Sequence, residues 1–356
     1  MDSAADQFFP SHHKFGLFRS QAWQNAWREH WGQSSALTPL AKTQEQPEFY
    51  RYWHVKRGII PIRTVIPAGI SSLAAPSTRS EYFCFPRAGI NASSDVRRYL
   101  KPALNYRWDL LYLPDVLEGT DEHHALLEVA QDLNLYVSEQ ERETAYAVDL
   151  RDHNFDDYVA NLGKNTRLKL YNRRKKLAKE GEVKVENVWP DRERFYQLLN
   201  DFHRERWGKP VYEGRSLGFI ETLLTGLADE GHTVDLSVMS LSGKPISAVL
   251  DLTIHGRCYN LQSGFVEDLI KGVSLGTLHL GYQIEAAFNS ETEFYDLMAG
   301  SGKNSQYKAA LATCQRDFVS LILVRNPALK LAYKLRDRRT MSTSHSTERP
   351  QPCSSE

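Results

Sequence analysis

The feature that most constrains this chain lies between residues 233 and 261. Thr233–Leu241 reads as a strand and Ser242-Gly243-Lys244-Pro245 as a turn, and Ile246, Ala248, Leu250, Leu252 and Ile254 then occupy every second position. A period of two puts all five on one face of a strand, so that face is buried. His255-Gly256-Arg257 turns the chain into Cys258-Tyr259-Asn260-Leu261. Three consecutive antiparallel strands are therefore predicted. The pattern continues with a helix at Thr277–Phe288, a strand at Phe294–Met298, a helix around Tyr307–Ala312, a strand at Phe318–Val324 and a helix from Pro327. That order makes a mixed α+β layer, not a strictly alternating βαβ series.

The 356 residues suffice for two domains or one large one. In the first half, Trp23, Trp27 and Trp31 follow helical spacing and predict a core-facing stripe. Tyr50–Arg57 and Ile59–Ile66 read as strands, Asp95–Leu104 and His123–Leu133 as helices, and Trp108–Leu113, Tyr136–Ser138 and Tyr146–Leu150 as further strands. The second half opens on Phe155, Tyr158, Val159 and Leu162, one face of a helix. Asn165 is the expected N-cap of a basic helix running to Lys179 and closed by Gly181. Residues 338–356 are rich in Ser, Thr and Pro and too polar to offset chain entropy, so disorder is expected there, and residues 1–14 are expected to be loose. The expected division is thus 1–150, 151–337 and a tail from 338 to 356.

Lys+Arg and Asp+Glu balance at 44 each, which argues against a globally basic nucleic-acid binder but leaves room for a local patch. One such patch is Lys164, Arg167, Lys169, Arg173, Arg174, Lys175, Lys176 and Lys179, with no acidic residue among them. It reads either as a solvated face or as a surface for tRNA, an anionic glycan or a membrane. Arg167 and Arg174 share a face with Leu170 and Leu177 and could turn inward to hold a phosphate or carboxylate. The four cysteines show no CxxC pair, so no disulfide framework, no cysteine-based zinc site and no metal are expected. No apolar run is long enough for a membrane span, and the first residues have neither the basic nor the apolar region of a secretory signal. A cytoplasmic location is the expectation.

Lys271-Gly272-Val273-Ser274-Leu275-Gly276-Thr277 leads into the Thr277 helix. First-turn amides have no partner within their helix and can bind an anion. Small residues let a phosphate approach and Lys271 adds positive charge. The competing reading is an ordinary helix start capped by Ser274 or Thr277.

The order of hairpin, small-residue loop, helix, strand and Tyr-containing helix resembles the acyl-CoA half of the GNAT N-acyltransferase fold. Phe155–Gly181 looks like the opening of CelD-like acetyltransferases, relatives of the Fem aminoacyl ligases. Ile246–Leu280 resembles their hairpin and loop, with Lys271-x-x-Ser274-x-Gly276 for the usual Gln/Arg-x-x-Gly-x-Gly/Ala, Leu275 replacing a Pro, and Glu267 where Asp is common. Phe294-Tyr295-Asp296-Leu297 followed by Tyr307-Lys308 resembles their ending. The resemblance implies two GNAT-like lobes, each a mixed, largely antiparallel sheet flanked by helices, the first degenerate. It implies acyl transfer from acyl-CoA, acetyl-CoA or longer, to an amine of a small molecule or of a glycan, peptide or envelope precursor. The cofactor would lie on Lys271, Gly272, Ser274, Gly276 and Thr277. Tyr307 would be the general acid, Glu267 a base or acceptor-orienting group, and Asp296 either a chemical group or a buried partner of Lys308 or Arg316. Arg167, Arg174 and Lys308 would hold substrate. His203, His232 and His279 match no family position and read as structural. Two alternatives stay open: a Fem-type ligase taking an aminoacyl group from tRNA for a peptidoglycan precursor, and a non-catalytic binding module on the same fold.

Overall fold

A computed structural model describes residues 16–40, 48–56, 60–86, 91–300 and 303–344. Among these, eleven strands form one sheet: β1 (Thr38–Pro39), β2 (Phe49–Lys56), β3 (Ile60–Pro67), β4 (Leu110–Leu117), β5 (Tyr136–Asp149), β6 (Val183–Asn187), β7 (Thr233–Leu241), β8 (Lys244–Ile254), β9 (Arg257–Phe265), β10 (Phe294–Gly300) and β11 (Cys314–Val324). Their spatial order is β1-β2-β3-β4-β11-β5-β10-β9-β8-β7-β6. The architecture is the expected mixed α+β, with helices packed on the sheet.

The sheet has two similar halves that exchange strands. In each half a parallel pair is joined through a helix: β3 and β4 around Ala92–Leu104, β9 and β10 around Leu275–Phe288. β11, late in the chain, sits between β4 and β5, while β5 sits between β11 and β10. The lobes are therefore interlocked through antiparallel ladders. A shared core reinforces this. Trp23 and Trp27 are fully buried, Trp23 meets Phe219 edge to face at 5.1 Å, and His30 Nε2 lies 2.9 Å from Thr222 Oγ1. The tryptophan stripe thus packs the helix Gln21–His30 of the first lobe against Gly214–Asp229 of the second.

Three local expectations change. Tyr136–Asp149 is one strand, not two short ones. Its polar middle, Glu139 to Arg142, is exposed and hid the strand; pairing with β11 along Tyr136–Ala147 holds it extended. The basic segment is not a continuous helix capped by Asn165. It starts after Gly163 as Lys164–Arg167, widens into a π-helical turn at Leu168–Asn172 and resumes at Arg174–Leu177. The π turn sits where the helix Leu275–Phe288 passes closest, since a Cβ on Gly281 would lie 2.3 Å from the Leu170 carbonyl oxygen. Finally, the closing helix runs Pro327–Ser344, past the point where a loose tail was expected to begin. Residues 345–356 and 1–15 lie outside the described residues.

Candidate active site

β9 and β10 run together only at Arg257–Tyr259 against Phe294–Asp296. Beyond that, β9 pairs with β8 alone as far as Phe265, and β10 with β5 alone as far as Gly300. Two parallel strands that stop pairing leave a wedge whose two walls have no strand partner across it, and side chains take up their backbone groups instead. A bulge marks each wall: the register shifts between Asp296 and Met298 on β10, and between the Gln262 and Asn260 pairings on β9. Met298 takes a left-handed φ of 64°, a conformation that costs a non-glycine residue about 1–2 kcal/mol. Bulges re-aim backbone and are common beside active sites.

The helix Leu275–Phe288 begins at the open end of the wedge. Its N-cap Ser274 directs its hydroxyl to Thr277 Oγ1, 3.1 Å away, and makes no side-chain cap. The first-turn amides are left for another acceptor. Cations gather around them. Arg173 Nη2 lies 3.8 Å from where a Gly272 Cβ would be, and Lys176 Nζ donates to the Lys271 carbonyl. Arg173 Nε is buried without a hydrogen-bond partner among the described residues. Gly272 has φ 77°, which glycine adopts without steric cost. Gly276 serves a different end from phosphate approach: a Cβ there would meet the Phe265 ring at 2.4 Å, so it lets the end of β9 close onto the helix.

Tyr307 and Glu267 meet at one residue the sequence did not single out, Arg206. Its Nε pairs with Glu267 Oε1 at 2.8 Å, its guanidinium stacks on Trp207 and Phe265, and its charge faces the Tyr307 phenol. Tyr307 is 43% exposed and Trp207 51% exposed, so the wedge mouth is open and aromatic. No motif flagged Arg206, which is one of several arginines on the helix Arg192–Trp207. His203 on that helix donates to the wedge wall, its Nε2 lying 3.1 Å from the Ser263 carbonyl oxygen.

Asp296 lies apart, fully buried. It accepts from Tyr82 Oη at 2.9 Å, Arg257 Nε at 2.9 Å and its neighbour Met298 N at 2.7 Å. Its ion pair is with Arg257, not with Lys308 or Arg316. Lys308 instead donates to the carbonyls of Ala299 (2.6 Å) and Met298 (3.4 Å). Burial lowers its pKa, and Glu81 and Asp296 partly restore it. The two arginines expected to share a face do not act together. Arg174 turns inward, pairs with Glu285 and stacks 3.8 Å over Tyr282, whereas Arg167 bonds the Ala160 carbonyl. The π turn between them breaks the seven-residue repeat.

A second polar cluster lies under the helix Leu275–Phe288. His279 is fully buried between Ser237 and Ser247, each 2.9 Å from a ring nitrogen, and burial lowers its pKa to about 3. Gln283 bridges Asp235 and Asp251, and Tyr295 donates to Asp251, whose pKa burial raises to about 7. Both His279 ring nitrogens have partners inside the core, which fits a structural role, while Asp235 Oδ1 has none among the described residues.

The first lobe's equivalent gap is closed. β3 and β4 pair only at Thr64–Val65 with Leu110–Leu111, and Phe83 then bridges in parallel to Val116, with its amide on the Asp115 carbonyl at 3.0 Å. The segment around Phe83 occupies the place a ligand would need.

Residues 164–309 match the family described as acetyltransferase (GNAT) domain. That stretch spans the basic segment, the uncapped start of the helix Leu275–Phe288, the wedge and the Tyr307-Lys308 pair. No curated protein sequence matches the chain. Among solved structures, FemX is 12% identical and superposes with a TM-score of 0.57, covering 92% of this chain and 96% of that one. A conserved protein of unknown function from Bacteroides thetaiotaomicron is 10% identical with a TM-score of 0.50, covering 85% and 90%. These two likenesses show the fold, across both lobes.

Proposed function

Taking the chain as a protein with a GNAT-type acetyltransferase domain on a FemAB-related, two-lobed fold, we propose that it transfers an acyl group from acyl-CoA to a primary amine. The observation that carries this reading is the uncapped start of the helix Leu275–Phe288, ringed by Arg173, Lys176 and Lys271, at the open end of the β9–β10 wedge. A diphosphate suits that end, and an extended pantetheine arm suits the unpaired edge of β9. The thioester would then reach the bulged region of β10. Tyr307 stands at the mouth to protonate the departing thiolate, and Glu267, held by Arg206, to orient the acceptor. The acceptor would be a small molecule or a glycan or peptide precursor.

Calorimetry with acetyl-CoA and a longer acyl-CoA tests the donor. Binding should be measurable, should weaken about tenfold or more in K176A/K271A, and should be lost in Gly276→Val, which cannot coexist with the present place of the Phe265 ring. No heat with either thioester would remove the reading. The likeness to FemX favours a second reading, an aminoacyl-tRNA donor on the same wedge; activity that RNase treatment abolishes would select it.

A further inference from the structure

We propose that Glu81, a residue of the first lobe, takes the proton from the acceptor's ammonium group in the second lobe's wedge. This rests on the acyl-transfer reading above and adds to it the base and the reason the first lobe is needed.

The segment that plugs the first lobe's gap continues into the second lobe's site. Phe83 fills the plug, while its neighbours Tyr82 and Glu81 reach β10. Tyr82 donates to Asp296, and Glu81 Oε2 accepts from the Ala299 amide at 2.9 Å. Ala299 lies on β10 beyond the last pairing with β9, so it is part of the wedge wall. Lys308 holds the carbonyl of the same residue at 2.6 Å. Two titratable groups from different lobes thus hold the two backbone groups of one residue beside the expected reaction centre. Glu81 Oε1 is 3.7 Å from Arg79 Nε, beyond hydrogen-bond length, and so remains able to accept a proton. Tyr82 and Asp115 both hold left-handed φ, of 55° and 51°. Such backbone strain at a junction is retained where the surroundings impose it.

The charged groups facing Glu81 come from every side: Arg79 on its own segment, Asp115 on β4, Glu143 on β5, Asp296 on β10 and Lys308 on the helix Lys303–Leu311. Arg79 pairs with Asp115 and Glu143 as well as approaching Glu81. Arg257 on β9 offsets Asp296, so the four carboxylates, Glu81 included, outnumber the cations Arg79, Lys308 and Arg257 by one while Glu81 is ionised. Burial first, then Asp296 and Asp115, lift the Glu81 pKa to about 8, against Arg79 and the Ala299 amide. A base poised near the working pH transfers protons best.

The step balances. The ammonium gives one proton to the Glu81 carboxylate. The nitrogen lone pair forms the N–C bond to the thioester carbonyl carbon. The C–S bond breaks, the thiolate leaves with its electron pair and takes the Tyr307 proton, and the nitrogen's second proton restores Tyr307. Amide and free thiol result, and Glu81 returns its proton to solvent.

The test compares two nucleophiles with acetyl-CoA as donor, reading thiol release and product mass. 1,5-Diaminopentane arrives as an ammonium and needs a base; hydroxylamine arrives neutral and does not. Wild-type turnover of the diamine should rise with pH through about 8. Glu81→Gln should lower that kcat roughly 100-fold or more and flatten the profile. Its hydroxylamine turnover and acetyl-CoA affinity should stay within about twofold, and Glu81→Asp, also the fallback if E81Q unfolds, should fall between. E81Q at wild-type rates on the diamine overturns the inference. So does an equal loss on both nucleophiles, or a wild-type protein that binds acetyl-CoA and acylates hydroxylamine but never the diamine. A wild-type protein that binds no acyl-CoA fails earlier, at the donor reading.

Discussion

Replacing Asp296 by Asn separates a structural carboxylate from a chemical one. Asp296 is fully buried and accepts three hydrogen bonds, from Tyr82, Arg257 and Met298 N. Asn keeps the shape but loses the charge, and one of its two ends becomes a donor facing donors. The Arg257 side chain, itself only 7% exposed, would then keep its charge without its carboxylate partner. Breaking a buried ion pair from one side costs about 3–5 kcal/mol. Whole proteins are stable by only about 5–15 kcal/mol, so the loss should be plain. In thermal unfolding followed by circular dichroism, the midpoint of D296N should drop by roughly 4–7 °C. Adding Arg257→Met removes the stranded charge and should recover part of that drop, because paired replacement is often tolerated where single removal is not. A D296N protein as stable as wild type, yet without turnover, would refute the structural argument and make Asp296 a participant in the reaction.

Acid sensitivity should trace to His279. Burial holds its folded pKa near 3 while the unfolded chain takes up a proton below about 6.5. Its contribution is therefore complete above pH 6.5 and is lost as pH falls from there toward 3. His279→Gln should flatten the stability curve across that window in urea titrations at stepped pH, and an unchanged slope would contradict this. Arg206→Ala should free Glu267 and Tyr307 from each other, raising the acceptor KM several-fold in steady-state assays. Its stability should change by less than about 1 kcal/mol, because the Arg206–Glu267 pair is a half-exposed one. A KM that does not move would show that Arg206 only decorates the mouth.

Much of the second lobe was legible because its signals are local. The alternation from Ile246 to Ile254 places β8, and the turn at Gly243 places β7 before it. The small-residue loop marks the helix start to within two residues, Leu275 against the expected Thr277. Burial of apolar side chains at a fixed period follows from the sequence alone. β5 was misread because its middle is polar and exposed, and only the β11 ladder keeps it extended. The π turn at Leu170 was invisible for a similar reason, since it is shaped by the close approach of Gly281 a hundred residues on.

Residue order was enough for the element order of the second lobe, the helix start after the small-residue loop and the resemblance to acyltransferases. It did so because periodicity, turns and motifs are written within a few residues of one another. Tertiary structure alone decided which charges meet: Arg257 with Asp296, Arg206 with Glu267 and Tyr307, Glu81 with the Ala299 amide. Each set joins residues far apart in the chain, the last across the two lobes, and for the buried Arg257–Asp296 pair the low-dielectric interior makes a matched charge far cheaper than a lone one.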